Sequence, residues 1–201
     1  MEGRSVLTEA LGIVRRFLKE QGFSARGTAF RRTCEDGNTI VLSLQKSVKS
    51  SPREALVTIN YGVYSARIAS KFPNDSPPGF DVAAAHWRKR LSEDGREKWL
   101  QVRETDSPAE SARTMLRCLE GVLVQLEEHS TDQALRDEWF TGSSPGIGKM
   151  QRMLFLAILV KEIGPPERLE EVVEDLRTFV SGTVHEALVE RQLAEAGIGV
   201  G

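Results

Sequence analysis

Apolar residues near the start of the chain recur at Leu7, Ala10, Leu11, Val14, Phe17 and Leu18. This three-and-four spacing lines one side of a helix, so residues 5–21 are predicted as an amphipathic helix. Gly22 follows, placed to close it in the left-handed conformation that residues with a Cβ avoid. The period then drops to two. Ile40, Leu42 and Leu44 alternate with Val41, Ser43, Gln45 and Ser47, and Val57, Ile59, Tyr61 and Val63 alternate with Thr58, Asn60, Gly62 and Tyr64. Side chains on a strand point to opposite faces in turn, so each run has one apolar and one largely polar face. Residues 28–33 read as extended, and Asp36-Gly37 before residues 39–47 signals a hairpin. A slip of one residue would put Ile40, Leu42 and Leu44 in water, so burial fixes the register and places Gln45 and Asn60 on the same face.

Further along, Ser50-Ser51-Pro52 and the proline-rich residues 72–80 read as loops. His86 to Leu91 and Lys98 to Val102 fit two more antiparallel strands joined around Glu93-Asp94-Gly95, although Ala83 to Ala85 would also suit a helical turn. Ser107-Pro108-Ala109-Glu110 has the form of a capping box with proline at the first helical position, and Ser107→Ala is expected to cost about 1 kcal/mol through the lost cap. Met115, Leu116, Leu119, Val122, Leu123 and Leu126 continue that helix. The rest reads as helical: residues 131–139; residues 147–163, apolar around most of the circumference and ended by Gly164-Pro165-Pro166; and a stripe from Leu169 to Val180. Gly182 is placed to break this last helix, with Thr183 and Glu186 capping a new start.

The resulting expectation is an α+β fold: an antiparallel sheet of three to five strands with two helices on one face, plus a helical C-terminal subdomain. Residues 1–129 form the α+β part, 130–196 the helical part packed on it, and 197–201 a flexible tail.

Composition narrows the function classes. With 40% hydrophobic and 28% charged residues, the chain has the makeup of a soluble globular protein. Cys34 and Cys118, far apart, argue against a disulfide scaffold or a structural zinc site. The longest apolar run, residues 153–160, falls short of the ~20 that a membrane span needs. Without an apolar run suited to a signal peptide at the N-terminus, a cytoplasmic location is expected. Charge is graded: +5 over residues 1–53, zero over 54–106 and −7 over 107–201. Such a gradient suits an anionic partner at the basic end, but it equally lets the two ends of one fold attract each other.

Gly22-Phe23, Gly27, Phe30, Gln45-Lys46-Ser47, Asn60-Tyr61-Gly62-Val63, the run from His86 to Leu91, Trp99, and later Leu135 to Trp139 resemble, in order and spacing, the bacterial domain-of-unknown-function family numbered 4304. The resemblance covers most of the chain and implies a soluble bacterial protein. It brings no activity with it. One departure is Lys98-Trp99, where paired aromatics are expected in many relatives.

Three stretches carry candidate chemistry. On the polar sheet face, Ser43, Gln45, Ser47, Thr58 and Asn60, joined by Arg32, offer oriented donors and acceptors to a peptide, a nucleotide edge or a small polar ligand; the plainer reading is cross-strand hydrogen bonding. His86, Arg88 and Arg90 fall on one side of an extended segment, where the cations would keep the histidine neutral and suit an anionic substrate; the plainer reading is a charged strand edge that discourages aggregation. Residues 142–150 invite comparison with a phosphate-binding P-loop. Ser143 stands at the first glycine position and Met150 replaces the magnesium-binding hydroxyl, so the stretch reads as a flexible helix-helix connection. His129 and His185 lack ligand spacing, and no residue set calls for a metal or cofactor.

The leading expectation is therefore a binding or interaction module rather than an enzyme, using the polar sheet face through Gln45, Asn60, Arg88 and Arg90. Its partner would be a protein, such as a toxin or regulatory domain, or a polar ligand. The alternative is an enzyme acting on an anionic substrate, with His86 as acid or base. A weaker alternative is nucleic-acid binding through Arg15, Arg16, Lys19, Arg26, Arg31 and Arg32, which the acidic C-terminal third opposes.

Overall fold

Helix α1 (Val6–Glu20) forms where the stripe predicts it, and its ends show why. Ser5 is an extended N-cap whose hydroxyl oxygen accepts the Thr8 N–H at 3.3 Å. At the other end Gly22 takes φ +82°, so that its own N–H reaches Lys19 C=O and the Phe23 N–H reaches Leu18 C=O, both at 3.0 Å. These two bonds satisfy carbonyls the helix leaves free and turn Phe23 into the core. The computed structural model describes residues 5–51, 53–72 and 79–199. The loop reading of residues 72–80 therefore falls largely outside the described residues, as does Pro52.

The chain continues through β1 (Ser24–Arg26), β2 (Ala29–Thr33), β3 (Thr39–Lys46) and β4 (Glu54–Tyr64), then a short helix α2 (Ala66–Ala69) and a 3-10 turn at Val82–Ala84. Next come β5 (Trp87–Arg90), the two-residue strands β6 (Ser92–Glu93) and β7 (Arg96–Glu97), and β8 (Leu100–Arg103). Strands β1 to β5 pair antiparallel in sequence order, and β8 joins the same edge of β4 as β5, end to end with it. The main sheet thus has six strands against the three to five expected. The addition is β1, whose three residues are too short to show alternation; it pairs with β2 across Gly27 at φ +62°. Between β5 and β8, strands β6 and β7 form a separate two-stranded ribbon around Asp94-Gly95.

Register follows the apolar sets. Ile40 faces Val63, Leu42 faces Tyr61 and Leu44 faces Ile59, all buried. Helices α1 and α3 (Pro108–Glu128) cover this face, contributing Val14, Leu18, Met115, Leu119, Val122 and Leu126 to the core. The Tyr61 hydroxyl donates to Gln125 Oε1 on α3 at 3.0 Å, and burial lifts its pKa to about 12. One cap differs from expectation. Ser107 is the N-cap of α3 but its side chain makes no capping hydrogen bond. The backbone is placed by Pro108 and by the Ser107 carbonyl, which accepts Ser111 N–H at 3.0 Å.

Beyond α3 lie α4 (Asp132–Phe140), α5 (Lys149–Ile163), α6 (Leu169–Val180) and α7 (Glu186–Glu195). Their apolar residues, from Leu135 through Leu156 and Leu176 to Leu193, belong to the same continuous core as the sheet. Gly182, at φ +70°, ends α6 as expected. The restart is not capped by Thr183: its hydroxyl donates back to Val180 C=O at 2.6 Å, His185 is the N-cap of α7, and Glu186 accepts the Gly182 N–H at 2.9 Å. The segment expected as a loose tail is held as far as Ile198. Ala196 and Ile198 are buried, and Lys161 Nζ donates to the Ala196 and Gly197 carbonyls at 2.7 and 2.8 Å. Val200 and Gly201 lie outside the described residues.

Candidate functional site

The second face of the sheet carries the polar residues, but much of it is covered. Val41, on the same face as Ser43 and Gln45, is buried with Val82 and Ala85 under the 3-10 turn. Thr58 is fully buried as well, its hydroxyl donating to the Lys98 carbonyl at 2.9 Å where the chain returns from the ribbon. What stays open between these two covers is a groove of about 760 Å³. Its floor is Ser43, Gln45 and Asn60, and Arg88, Arg90, Glu97 and the Pro145-Gly146 turn wall it. Gln45, Asn60, Arg88 and Arg90 are thus brought together as the alternation predicts.

The floor residues are connected to one another. Asn60 donates through Nδ2 to Gln45 Oε1 at 2.9 Å, and its own Oδ1 accepts Arg90 Nε at 2.8 Å. Arg90 also bonds Glu97 Oε1 at 2.8 Å through Nη1 and approaches Gln45 Oε1 at 3.4 Å through Nη2. The cross-strand pair Asn60–Arg90 makes this possible, since register places the two residues opposite each other on β4 and β5. These bonds link the amide and guanidinium groups to one another without any ligand. Arg32 is not part of this surface. Pairing opposite Ile40 puts it on the helix-covered side, where it bonds Glu127 and the Gln21 carbonyl and lies over Phe23.

Arg88 is held differently. Its backbone N–H donates to Pro145 C=O at 3.3 Å, so the connection between α4 and α5 covers the outer edge of β5. Gly146, at φ +72°, allows this approach; a Cβ there would fall 2.3 Å from Arg88 Cγ and 2.4 Å from its carbonyl oxygen. On the inner side Gly62 performs the same service, because a Cβ would lie 2.5 Å from the Trp87 carbonyl oxygen. The glycine-serine stretch that resembles a P-loop is thus a connection between helices that clamps an arginine. Its role was hidden from sequence because the partner lies some sixty positions earlier in the chain. Glu97 and Asp81 were missed for a similar reason: each reaches the groove only through the fold of the ribbon or of the 3-10 turn.

His86 lies outside the groove lining. It is buried, stacked on Tyr64 with centroids 4.6 Å apart and edge-on to Phe155 of α5 at 4.9 Å. Its Nδ1 accepts the Ser65 N–H at 3.0 Å, which puts the proton of the neutral ring on Nε2. Burial drives its pKa down to about 4, against a smaller opposing pull from Asp132. A role as acid or base would require His86 to meet Gln45, Asn60 or an acidic group within hydrogen-bond reach; its hydrogen-bond partner is instead this backbone amide.

A second charged cluster, on the covered side, escaped the sequence reading. Trp87 stacks on His129 at 4.3 Å and donates its indole N–H to Glu138. Glu138 also accepts Ser143 Oγ–H at 2.9 Å and pairs with His129 Nε2 at 2.9 Å. His129 Nδ1 faces the Gln125 carbonyl at 2.8 Å. An acceptor at each ring nitrogen favours the protonated form, and the bond to Glu138 raises the His129 pKa. Burial pushes the Glu138 pKa up, but the bonds from His129, Ser143 and Trp87 outweigh it and set it at about 2. The cluster ties β5 to α3 and α4.

The basic N-terminal third is partly spent internally. Arg15 donates to the Gly27 carbonyl, Arg31 lies over Phe80 at 5.6 Å, and Arg32 pairs with Glu127. The last contact joins the basic and acidic ends of the chain, as the charge gradient allows. Among the described residues no group of three or more His, Cys, Asp or Glu is placed to hold a metal ion, and no helix is long and apolar enough to cross a membrane.

The chain belongs to the family described as Domain of unknown function (DUF4304), whose model matches residues 14–128. That span contains both sides of the groove floor together with Arg88, Arg90 and Glu97, but not the Pro145-Gly146 wall. No curated protein and no solved structure matches the chain.

Proposed function

We propose that this member of the DUF4304 family is a cytoplasmic binding module, and that the groove on the open sheet face receives its partner. The observation that carries this reading is the convergence of side chains from β3, β4, β5 and the ribbon on one concavity, with their polar groups already oriented by Asn60–Gln45 and Asn60–Arg90 bonds. A site whose donors are fixed in advance loses less side-chain entropy on binding. A solvated sheet face with no partner would need neither the clamped Arg88 nor the two glycines that let the backbone approach it so closely.

The groove is more open to solvent than enclosed. A small molecule is normally enclosed over most of its surface, whereas an extended polypeptide can lie along an open trough. The partner is accordingly a protein segment. A pull-down comparing wild type with a Gln45→Ala/Asn60→Ala variant tests the reading: at least one partner recovered by wild type is expected to be lost from the variant. Equal recovery of every partner removes the groove from consideration.

A further inference from the structure

We infer that the groove selects a carboxylate, and that Arg88 grips the Asp or Glu side chain of an extended partner segment. This deepens the proposed function and rests on it.

Three cations line the groove; Lys89 lies over the Trp87 ring, 4.9 Å from its centroid, and the two arginines differ in what remains available. Arg90 is matched: its guanidinium has a carboxylate partner in Glu97 and an amide partner in Asn60. Both hydrogen bonds of the Arg88 side chain leave from Nη1, toward the Ala83 carbonyl and, at 3.2 Å, the Ala85 carbonyl. Among the described residues, no carboxylate pairs with Arg88, and Nε and Nη2 carry no hydrogen bond. These two N–H groups form one edge of the guanidinium plane, spaced to meet both oxygens of a carboxylate in parallel.

The fork is also immobilised. The two carbonyls accept on the Nη1 side, the Arg88 backbone is bonded to Pro145, and Gly146 packs directly on the Arg88 Cγ. A surface arginine normally gives up rotamer entropy when it forms a pair; here much of that loss has been taken in folding. The groove's other charges set the kind of anion. Glu97 is already paired with Arg90 and Asp81 also lines the groove, so a phosphate dianion would carry more charge than the single open fork offsets, whereas one carboxylate within a longer segment is matched to it. Gln45 and Ser43, alongside, supply an amide and a hydroxyl suited to the neighbouring peptide groups.

The test uses the full chain labelled with ¹⁵N and blocked octapeptides carrying one central Glu or Asp, with the Gln and Asn peptides as controls. The Glu or Asp peptides are expected to shift the Arg88 Nε–Hε signal and the amides of Gln45 and Asn60, and to bind about tenfold more tightly than their controls, the typical worth of one charge-assisted pair (about 1.4 kcal/mol). Arg88→Lys keeps the charge but loses the fork, and is expected to reduce the acid preference to threefold or less. Binding of acid and amide peptides with equal affinity at the groove would overturn the carboxylate assignment while leaving the groove reading intact. Failure of every peptide to perturb the groove would overturn both. Inorganic phosphate or succinate binding as tightly as the Glu peptide would overturn the assignment to a protein segment. The wild-type comparison decides the matter even where the variant folds poorly.

Discussion

Two serine- and threonine-led helix starts separate what a residue type promises from what it does. Ser107 carries the full capping sequence yet makes no side-chain bond to α3, whereas Thr131 accepts the Ala134 N–H at 3.2 Å ahead of α4. Thr131→Ala is therefore expected to lower stability by about 1 kcal/mol, and Ser107→Ala by less than about 0.5 kcal/mol, in denaturant titrations. Equal losses at the two sites would show that the Ser107 hydroxyl caps α3 in solution. The same contrast explains why single residues were the least legible level of the sequence. His86 beside two arginines reads as a candidate base, and only packing reveals it buried between Tyr64 and Phe155 with Nδ1 given to Ser65. His129 offered no local signal, because its partner Glu138 sits on the next helix and its stacking partner Trp87 lies on a strand.

Elements with a strong period were legible to within a residue or two: α1 from its stripe and Gly22, β3 from alternation, α5 from its apolar surround; β4 was read from Val57 and starts three residues earlier, at Glu54. The shared face of Gln45 and Asn60 followed from these, because a one-residue slip would expose the apolar set; in the register that forms, Leu44 faces Ile59, Asn60 faces Ser43 and Gln45 faces Thr58. Short elements were not legible, since β1 and the ribbon strands contain too few residues to display a period. Nor could alternation show that Val41 and Thr58, nominally on the wet face, would be covered by chain arriving from residues 82–98.

The His129–Glu138–Trp87 cluster behind β5 joins that strand of the groove wall to α3 and α4. The raised pKa of His129 means that this histidine's contribution is complete below its unfolded value, near 6.5, and is lost as pH rises through the folded value. Glu138 and His86 act in the opposite sense: their folded pKa values, about 2 and about 4, lie below the unfolded ones. Their contributions are present above about 4.5 and 6.5 respectively, and are lost as pH falls toward the folded values. Glu138→Gln removes the anion that His129 needs, and is expected to cost about 2 kcal/mol near pH 6. That difference from wild type should shrink as pH rises past the His129 pKa. A difference of constant size from pH 6 to pH 9, followed by chemical denaturation, would mean that the pair is not charged in the fold.

For the whole molecule, one core joins the sheet, its two covering helices and the C-terminal helices, so the groove is framed by parts of the chain far apart in sequence. Residues 14–128, which match the family, supply the floor and most of the wall; the α4–α5 connection adds the clamp on Arg88. This arrangement leaves one face of the sheet partly open, with the opposite face devoted to packing. The most direct test is amide hydrogen exchange of the full chain, alone and with a partner recovered by wild type but not by Gln45→Ala/Asn60→Ala. New protection is expected in residues 43–46, 58–60 and 88–97, with the outer surfaces of α1 and α3 unchanged. Protection on those helices, with the groove exchanging as in the free protein, would contradict binding at the groove.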